Sequence, residues 1–119
     1  DAPTRNSLAV IHYLCDAPDS GTSLYRHRET GYEYIDQLRR NKYIQSLEQQ
    51  FGHASQHPSG YIYGSNEAYE EIASYKTVYN RLIMYRGSSL HSGIIKPQYK
   101  FDPNPETGRL TVTSFIEFS

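Results

Sequence analysis

The sequence contains no tryptophan, one methionine and one cysteine. The lone Cys15 excludes an internal disulfide framework and fits a reducing compartment, so a cytoplasmic location is expected. No apolar run approaches the roughly 20 residues of a membrane-spanning helix, and no signal peptide is visible. An excess of charge is also missing, with 12 basic and 13 acidic residues. This balance argues against nucleic acid or a membrane surface as a partner.

Tyrosine, by contrast, is abundant: 12 of the 119 residues. The length suits a single small domain with one core, spanning residues 1–119. Such tyrosine density is typical of strands and of pockets with apolar walls and polar tips. The chain begins at Asp1 rather than at methionine, so we expect a processed or N-terminally truncated piece of a longer protein.

Alternation of apolar and polar residues predicts strands in the first and last thirds of the chain. We expect residues 7–14 and 22–30 to form an antiparallel pair, with Gly21 allowing the chain to reverse between them. Three further strands are predicted at 80–86, 93–101 and 109–118. The predicted fold is therefore mainly β, a small antiparallel sandwich or barrel that carries a helical insertion.

A helical insertion is predicted at about residues 33–75. The apolar side chains of 33–51 do not share one helix face, so we expect a break near Arg39–Lys42, a better helix after it and an end at Gly52. A second short helix is predicted at 65–75, because Ser65 or Asn66 could cap it and apolar residues follow at helical spacing.

The loop "YRGSSLHSG" places His91 among small residues after an apolar strand. Arg109 opens the last predicted strand, and Thr111 follows on the same side by period two. A histidine with a carboxylate such as Asp1 would suit a non-haem Fe(II) site, and an arginine suits a carboxylate ligand. The structural alternatives are a solvated His91 and a surface pair between Arg109 and Glu106 or Glu117.

The run "NRLIMYRGSSLHSG" followed by "GRLTVTSFIEF" resembles the C-terminal half of the double-stranded β-helix of Fe(II)/2-oxoglutarate oxygenases, in the prolyl-hydroxylase-like branch. Within this superfamily the chain is most similar to an uncharacterised bacterial group with a Tyr-Arg-His-Arg run. The resemblance implies Fe(II) and 2-oxoglutarate as cofactors and a hydroxylase activity. It makes His91 the distal metal ligand, with Arg109 and Thr111 binding the far carboxylate of 2-oxoglutarate.

The sequence departs from that family in two places. Ser20-Gly21 stands where a double glycine is usual, and no His-x-Asp motif is present. Family spacing puts its aspartate at Asp1, so the proximal histidine would lie two residues upstream. The chain alone is then expected to bind iron poorly and to be inactive, because two ligands rarely hold a metal that normally has three.

The run Tyr25, Arg26, His27 and Arg28 has two interpretations. Its arginines could pair with acidic residues such as Glu33 or Asp36, or one of its faces could grip an anionic substrate. Two other classes of function also remain open. One is a cupin-like isomerase or binding domain that uses metal without 2-oxoglutarate, and the other is a non-catalytic scaffold. The sequence does not separate a peptide substrate from a small molecule, and it does not define an oligomeric state.

Overall fold

The computed structural model describes residues 7–17, 19–52, 64–95 and 108–118 of the chain. The described part contains six strands and one helix. In chain order they are β1 (Ser7–Tyr13), β2 (Ser20–His27), α1 (Arg40–Phe51), β3 (Tyr69–Lys76), β4 (Leu82–Arg86), β5 (His91–Ile95) and β6 (Thr111–Glu117).

The strands form two antiparallel sheets of three. Sheet A has the order β4-β1-β6 and sheet B the order β3-β2-β5. Tyr13 of sheet A and Thr22 of sheet B join their hydroxyls in a buried 2.5 Å hydrogen bond between the two layers. The prediction of a mainly β sandwich is therefore confirmed at the level of two facing sheets.

The predicted pairing of the first two strands is wrong. β1 and β2 follow each other in the chain but lie in different sheets, because β1 pairs with β4 and β6 while β2 pairs with β3 and β5. Gly21 lies within β2 rather than in a turn. A Cβ there would overlap the carbonyl oxygen of Tyr75 on the neighbouring strand, so this glycine permits a close approach of two backbones.

The second predicted helix, at 65–75, is also wrong, because most of this segment forms β3. The predicted capping contacts do occur: the Asn66 side-chain oxygen accepts hydrogen bonds from the N–H groups of Ala68 and Tyr69. The same local hydrogen bonds can begin a turn that leads into a strand. The edge of β2 then supplies ladder partners for β3, with a β-bulge at Leu24/Tyr25.

Helix α1 follows the prediction more closely. The helix begins at Arg40, inside the expected break, and Gly52 ends it by donating its N–H to the Glu48 carbonyl. Residues before the break are not helical, and Tyr34 forms an isolated bridge with Ser89.

The two faces of sheet A differ in cover. Ala9 and Tyr13 are buried toward sheet B, whereas apolar side chains on the opposite face are about half exposed. They include Leu82, Met84, Val112 and Ile116. Among the residues that the structure describes, no helix combines the length and the apolar character needed to cross a membrane.

Candidate metal and cosubstrate site

His91 is the first residue of β5 and pairs with Leu24 of β2. Its ring lies against the ring of Tyr85 from β4, with 4.9 Å between the ring centres. Since β4 belongs to sheet A and β5 to sheet B, this contact joins the layers and points His91 into the space between them. The imidazole nevertheless remains exposed, so it lies at an open end of the sandwich.

One hydrogen bond defines the tautomer of His91. Its Nδ1 lies 2.7 Å from the backbone carbonyl oxygen of Ser89. A carbonyl can only accept, so Nδ1 carries a proton, and Nε2 is the nitrogen that could offer a lone pair to a metal. Metal-binding histidines commonly have this arrangement, in which the second ring nitrogen donates to a carbonyl and fixes the ring. Within the described part of the chain, Nε2 has no hydrogen-bond partner.

Tyrosine and threonine hydroxyls lie deeper in the sandwich than His91. Leu24 is the strand partner of His91, and Thr22 lies two residues before Leu24 in β2. The distance between Thr22 and Leu24 along the strand is therefore roughly 7 Å. The buried Tyr13 holds Thr22 by its hydroxyl and pairs with Thr111 across β1 and β6. Burial raises the pKa of Tyr85, and the proximity of Tyr13 raises it further, so the Tyr85 hydroxyl keeps its proton at pH 7.

Arg109 precedes β6, and the ladder extends beyond that strand because Leu14 donates its N–H to the Leu110 carbonyl. By alternation Arg109 shares the inward face of Thr111. Its Nε is buried and has no hydrogen-bond partner in the described residues. No carboxylate there pairs with its guanidinium, which excludes the alternative of a pair with Glu117, whereas Glu106 lies outside the described residues. A buried donor without a partner is costly, so this position suits a ligand that supplies an acceptor.

An apolar pocket of about 250 Å³ opens beside this site. Its walls come from β2, β3 and β4: Leu24, Tyr75, Leu82, Ile83, Met84 and Tyr85. Two of these, Leu24 and Tyr85, are also the neighbours of His91. An apolar group of a ligand could therefore lie next to the exposed Nε2.

The Tyr25–Arg28 run separates into two faces, as the alternation predicts. Arg26 forms 2.8 Å ion pairs with Glu33 and Glu70, and the Glu33 hydrogen bond is the main reason that its pKa is raised. Arg28 donates from Nε to the Asn66 carbonyl. The structural alternative thus accounts for the contacts of Arg26.

His27 lies on the other face of β2, under helix α1. Its ring is fully buried, with Nδ1 2.8 Å from the Thr30 hydroxyl and with Tyr43 and Tyr69 packed around it. The hydroxyls of Tyr43 and Tyr69 are hydrogen-bonded to each other at 2.5 Å. Burial lowers the pKa of His27, against a smaller opposite influence of Glu29. Through this cluster, α1 packs against sheet B.

Two members of the site were missed by sequence reasoning: Tyr13 and Tyr85. Tyr85 is within the stretch that singled out His91, and a tyrosine with the strand parity of inward residues is the signal that could have found it. Asp1 lies outside the described residues. Among those residues no three potential metal ligands lie together. Nε2 of His12, in β1, lies 2.8 Å from the side-chain oxygen of Asn80.

Comparison with known proteins gives one match. No curated protein and no solved structure matches the chain. A family model covers residues 1–116, nearly the whole chain, and its description is "Family of unknown function (DUF6445)". The chain therefore belongs to the DUF6445 family.

Proposed function

We propose that this chain is the catalytic domain of an Fe(II)- and 2-oxoglutarate-dependent oxygenase, a hydroxylase with a jelly-roll fold. The observation that carries the proposal is the His91 imidazole: Nδ1 is tied to a backbone carbonyl, and the exposed ring leaves Nε2 without a partner among the described residues. A ring that is fixed through one nitrogen, with the other available, is the usual state of a histidine that binds a divalent metal.

Strand order supports the jelly-roll part of the proposal. In an eight-stranded jelly roll, strand three pairs with strands six and eight, and strand four pairs with strands five and seven. If the six strands here are counted as three to eight, sheets A and B have this order throughout. His91 then opens strand seven and Arg109 leads into strand eight, as the resemblance implies.

The donor set supports the cosubstrate. The buried Arg109 Nε without a partner fits the far carboxylate of 2-oxoglutarate, and the Thr111 hydroxyl on the same face could add a hydrogen bond. Along β2, Thr22 lies roughly 7 Å further into the sandwich than Leu24, the strand partner of His91. This distance is comparable with the length of a five-carbon dicarboxylate. The residues therefore match a ligand that reaches from the metal into the sandwich.

When bound, Fe(II) with 2-oxoglutarate would supply the oxygen activation that converts a substrate C–H bond to an alcohol. The chain's own residues bind and orient. His91 would hold the metal together with Asp1 and an upstream histidine, while Ser89 keeps the proton on Nδ1. Tyr85 packs against the imidazole and restricts its rotation, and its ring also lines the neighbouring apolar pocket.

Isothermal titration calorimetry of the full-length natural protein tests the proposal. The measurement is made without oxygen, with Mn(II) in place of Fe(II). We expect metal-dependent binding of 2-oxoglutarate. Arg109→Ala should weaken 2-oxoglutarate binding about tenfold or more while leaving Mn(II) binding unchanged. Equal loss of both in this variant would contradict the assigned roles.

The alternatives give different results in the same experiment. Mn(II) binding without 2-oxoglutarate binding would favour a cupin-like domain that uses metal alone. A folded protein that binds neither would favour the scaffold function. Arg28→Ala serves as a matched control, because Arg28 is exposed and donates only to a backbone carbonyl in the described structure.

A further inference from the structure

Two arginines and two tyrosines form a stack at the start of the insertion. The guanidinium carbon of Arg39 lies 4.6 Å from the ring centre of Tyr32 and 4.0 Å from that of Tyr34. The guanidinium carbon of Arg86, at the end of β4, lies 4.2 Å from the ring centre of Tyr34. We call these four residues the arginine–tyrosine stack. Both positive groups thus lie against one tyrosine ring.

The stack borders the same end of the sandwich as His91. Tyr34 bridges to Ser89, whose carbonyl also holds the His91 ring. On either side of this bridge, Ile35 donates its N–H to the Ser88 carbonyl, and Leu90 donates to the carbonyl of the residue before Tyr34. The segment that carries the stack is therefore hydrogen-bonded along the loop that leads into His91.

The two guanidiniums have no anionic partner in the described part of the chain. Both ion pairs formed there belong to Arg26. The nearest acid to Arg39 in sequence, Asp36, accepts a hydrogen bond from the backbone N–H of Arg39 rather than from its side chain. Glu33, between the two tyrosines, is paired with Arg26. Ring stacking occupies the flat faces of a guanidinium and leaves its in-plane N–H groups available.

We propose that the arginine–tyrosine stack binds an oxyanion group, a carboxylate or a phosphate, of a ligand that enters beside His91. A guanidinium held flat by aromatic rings loses less freedom on binding an anion than a mobile one, and its planar fork suits two acceptor oxygens. Two such groups against one ring concentrate positive charge at the rim of the site. Identifying the ligand as the substrate rests on the proposed function, whereas anion binding itself does not.

NMR of the ¹⁵N-labelled chain without metal tests this inference. The Nε–H resonances of Arg39 and Arg86 are followed while inorganic phosphate or acetate is added at constant ionic strength. We expect saturable shifts of both resonances with a common affinity. Tighter binding of phosphate would indicate a phosphorylated ligand, and tighter binding of acetate would indicate a carboxylate. Shifts that do not saturate with either anion would overturn the proposal and leave the stack as a fastening of the segment to the sheet.

Variants separate this site from the other anion site. Arg86→Lys keeps the charge but loses the planar fork, and it should bind about tenfold more weakly. Arg40→Gln, next to the stack, and Arg109→Gln, at the cosubstrate site, should leave the shifts and the affinity unchanged. If Arg40→Gln weakened anion binding as much as Arg86→Lys, the binding would depend only on the positive charge of the region. If Arg109→Gln abolished the shifts, the anion would bind at Arg109 and not at the arginine–tyrosine stack. His91→Ala should not affect this titration, so failure of the metal site and failure of the stack remain distinguishable.

Discussion

Two histidines of this protein lie against tyrosine rings, and their surroundings are opposite. His27 is fully buried beneath α1, and its Nε2 has no partner among the described residues and no contact with solvent. His91 is exposed at the end of the sandwich, and a carbonyl fixes its Nδ1. A histidine packed against tyrosine is thus part of a buried core at one place and a candidate metal ligand at the other. What separates them is whether a helix covers the face of the sheet.

Removing the open histidine should have the largest effect, and the effect should be on binding. His91→Ala is expected to abolish Mn(II)-dependent 2-oxoglutarate binding. Mutation of a residue that only hydrogen-bonds to a metal ligand already weakens metal binding about 10- to 100-fold, and loss of the ligand itself should weaken it more. The free energy of unfolding should change by less than about 0.5 kcal/mol, because the ring is exposed. Calorimetry and urea unfolding measure the two quantities. Retained binding in a folded variant would remove His91 from the site.

Removing the closed histidine should affect stability instead. His27→Ala leaves a cavity between β2 and α1, and we expect a loss of about 2–4 kcal/mol in the free energy of unfolding. Urea denaturation measures it, with His91→Ala as the matched control. If the two variants proved equally stable, the comparison between a closed and an open histidine would fail.

Much of the fold could be predicted from the sequence, because strand alternation is a local signal. β1, β4 and β6 lie at the predicted positions, and α1 begins at the predicted break. The assignment of each strand to its sheet could not be predicted, since strand pairing depends on contacts between distant segments. β3 was missed for a related reason: Asn66 makes the same first hydrogen bonds for a helix and for a turn, and only the edge of β2 decides between them.

The candidate site divides in the same way. His91 and Arg109 stood out by their local context, and the structure gives each an atom that is free for a ligand among the described residues. Tyr13 and Tyr85 did not stand out, because a tyrosine in a strand is ordinary in so tyrosine-rich a chain. Their importance comes from facing each other across two sheets, which no spacing in the sequence records.

Acid should also weaken the buried cluster around His27. Burial lowers the pKa of His27 in the folded protein below its ordinary value of 6.5, so the unfolded chain binds its proton at higher pH than the folded one. Below about pH 6.5 the unfolded state holds more protons, and stability must fall as the pH falls, by at most about 1.4 kcal/mol per pH unit from this group.

Urea unfolding at pH 7.5, 6.0 and 5.0 measures that dependence. His27→Gln cannot titrate, so its loss of stability toward pH 5 should be smaller than that of the natural chain. An unchanged slope in His27→Gln would assign the acid sensitivity to other groups, such as carboxylates.

The smallest expected effect comes from the hydrogen bond that completes the closed cluster. The hydroxyls of Tyr43 and Tyr69 are bonded to each other, and burial, with the Tyr69 hydrogen bond next in importance, raises the pKa of Tyr43. Tyr43→Phe should therefore lower the free energy of unfolding by about 1 kcal/mol. Tyr79→Phe, at an exposed ring, should leave it unchanged. Adding Tyr69→Phe to Tyr43→Phe should cost less than Tyr69→Phe alone, because the first change has already left the second hydroxyl unpaired. Additive losses would mean that each hydroxyl has an independent partner, and that the face under α1 is less closed than the contacts of His27 indicate.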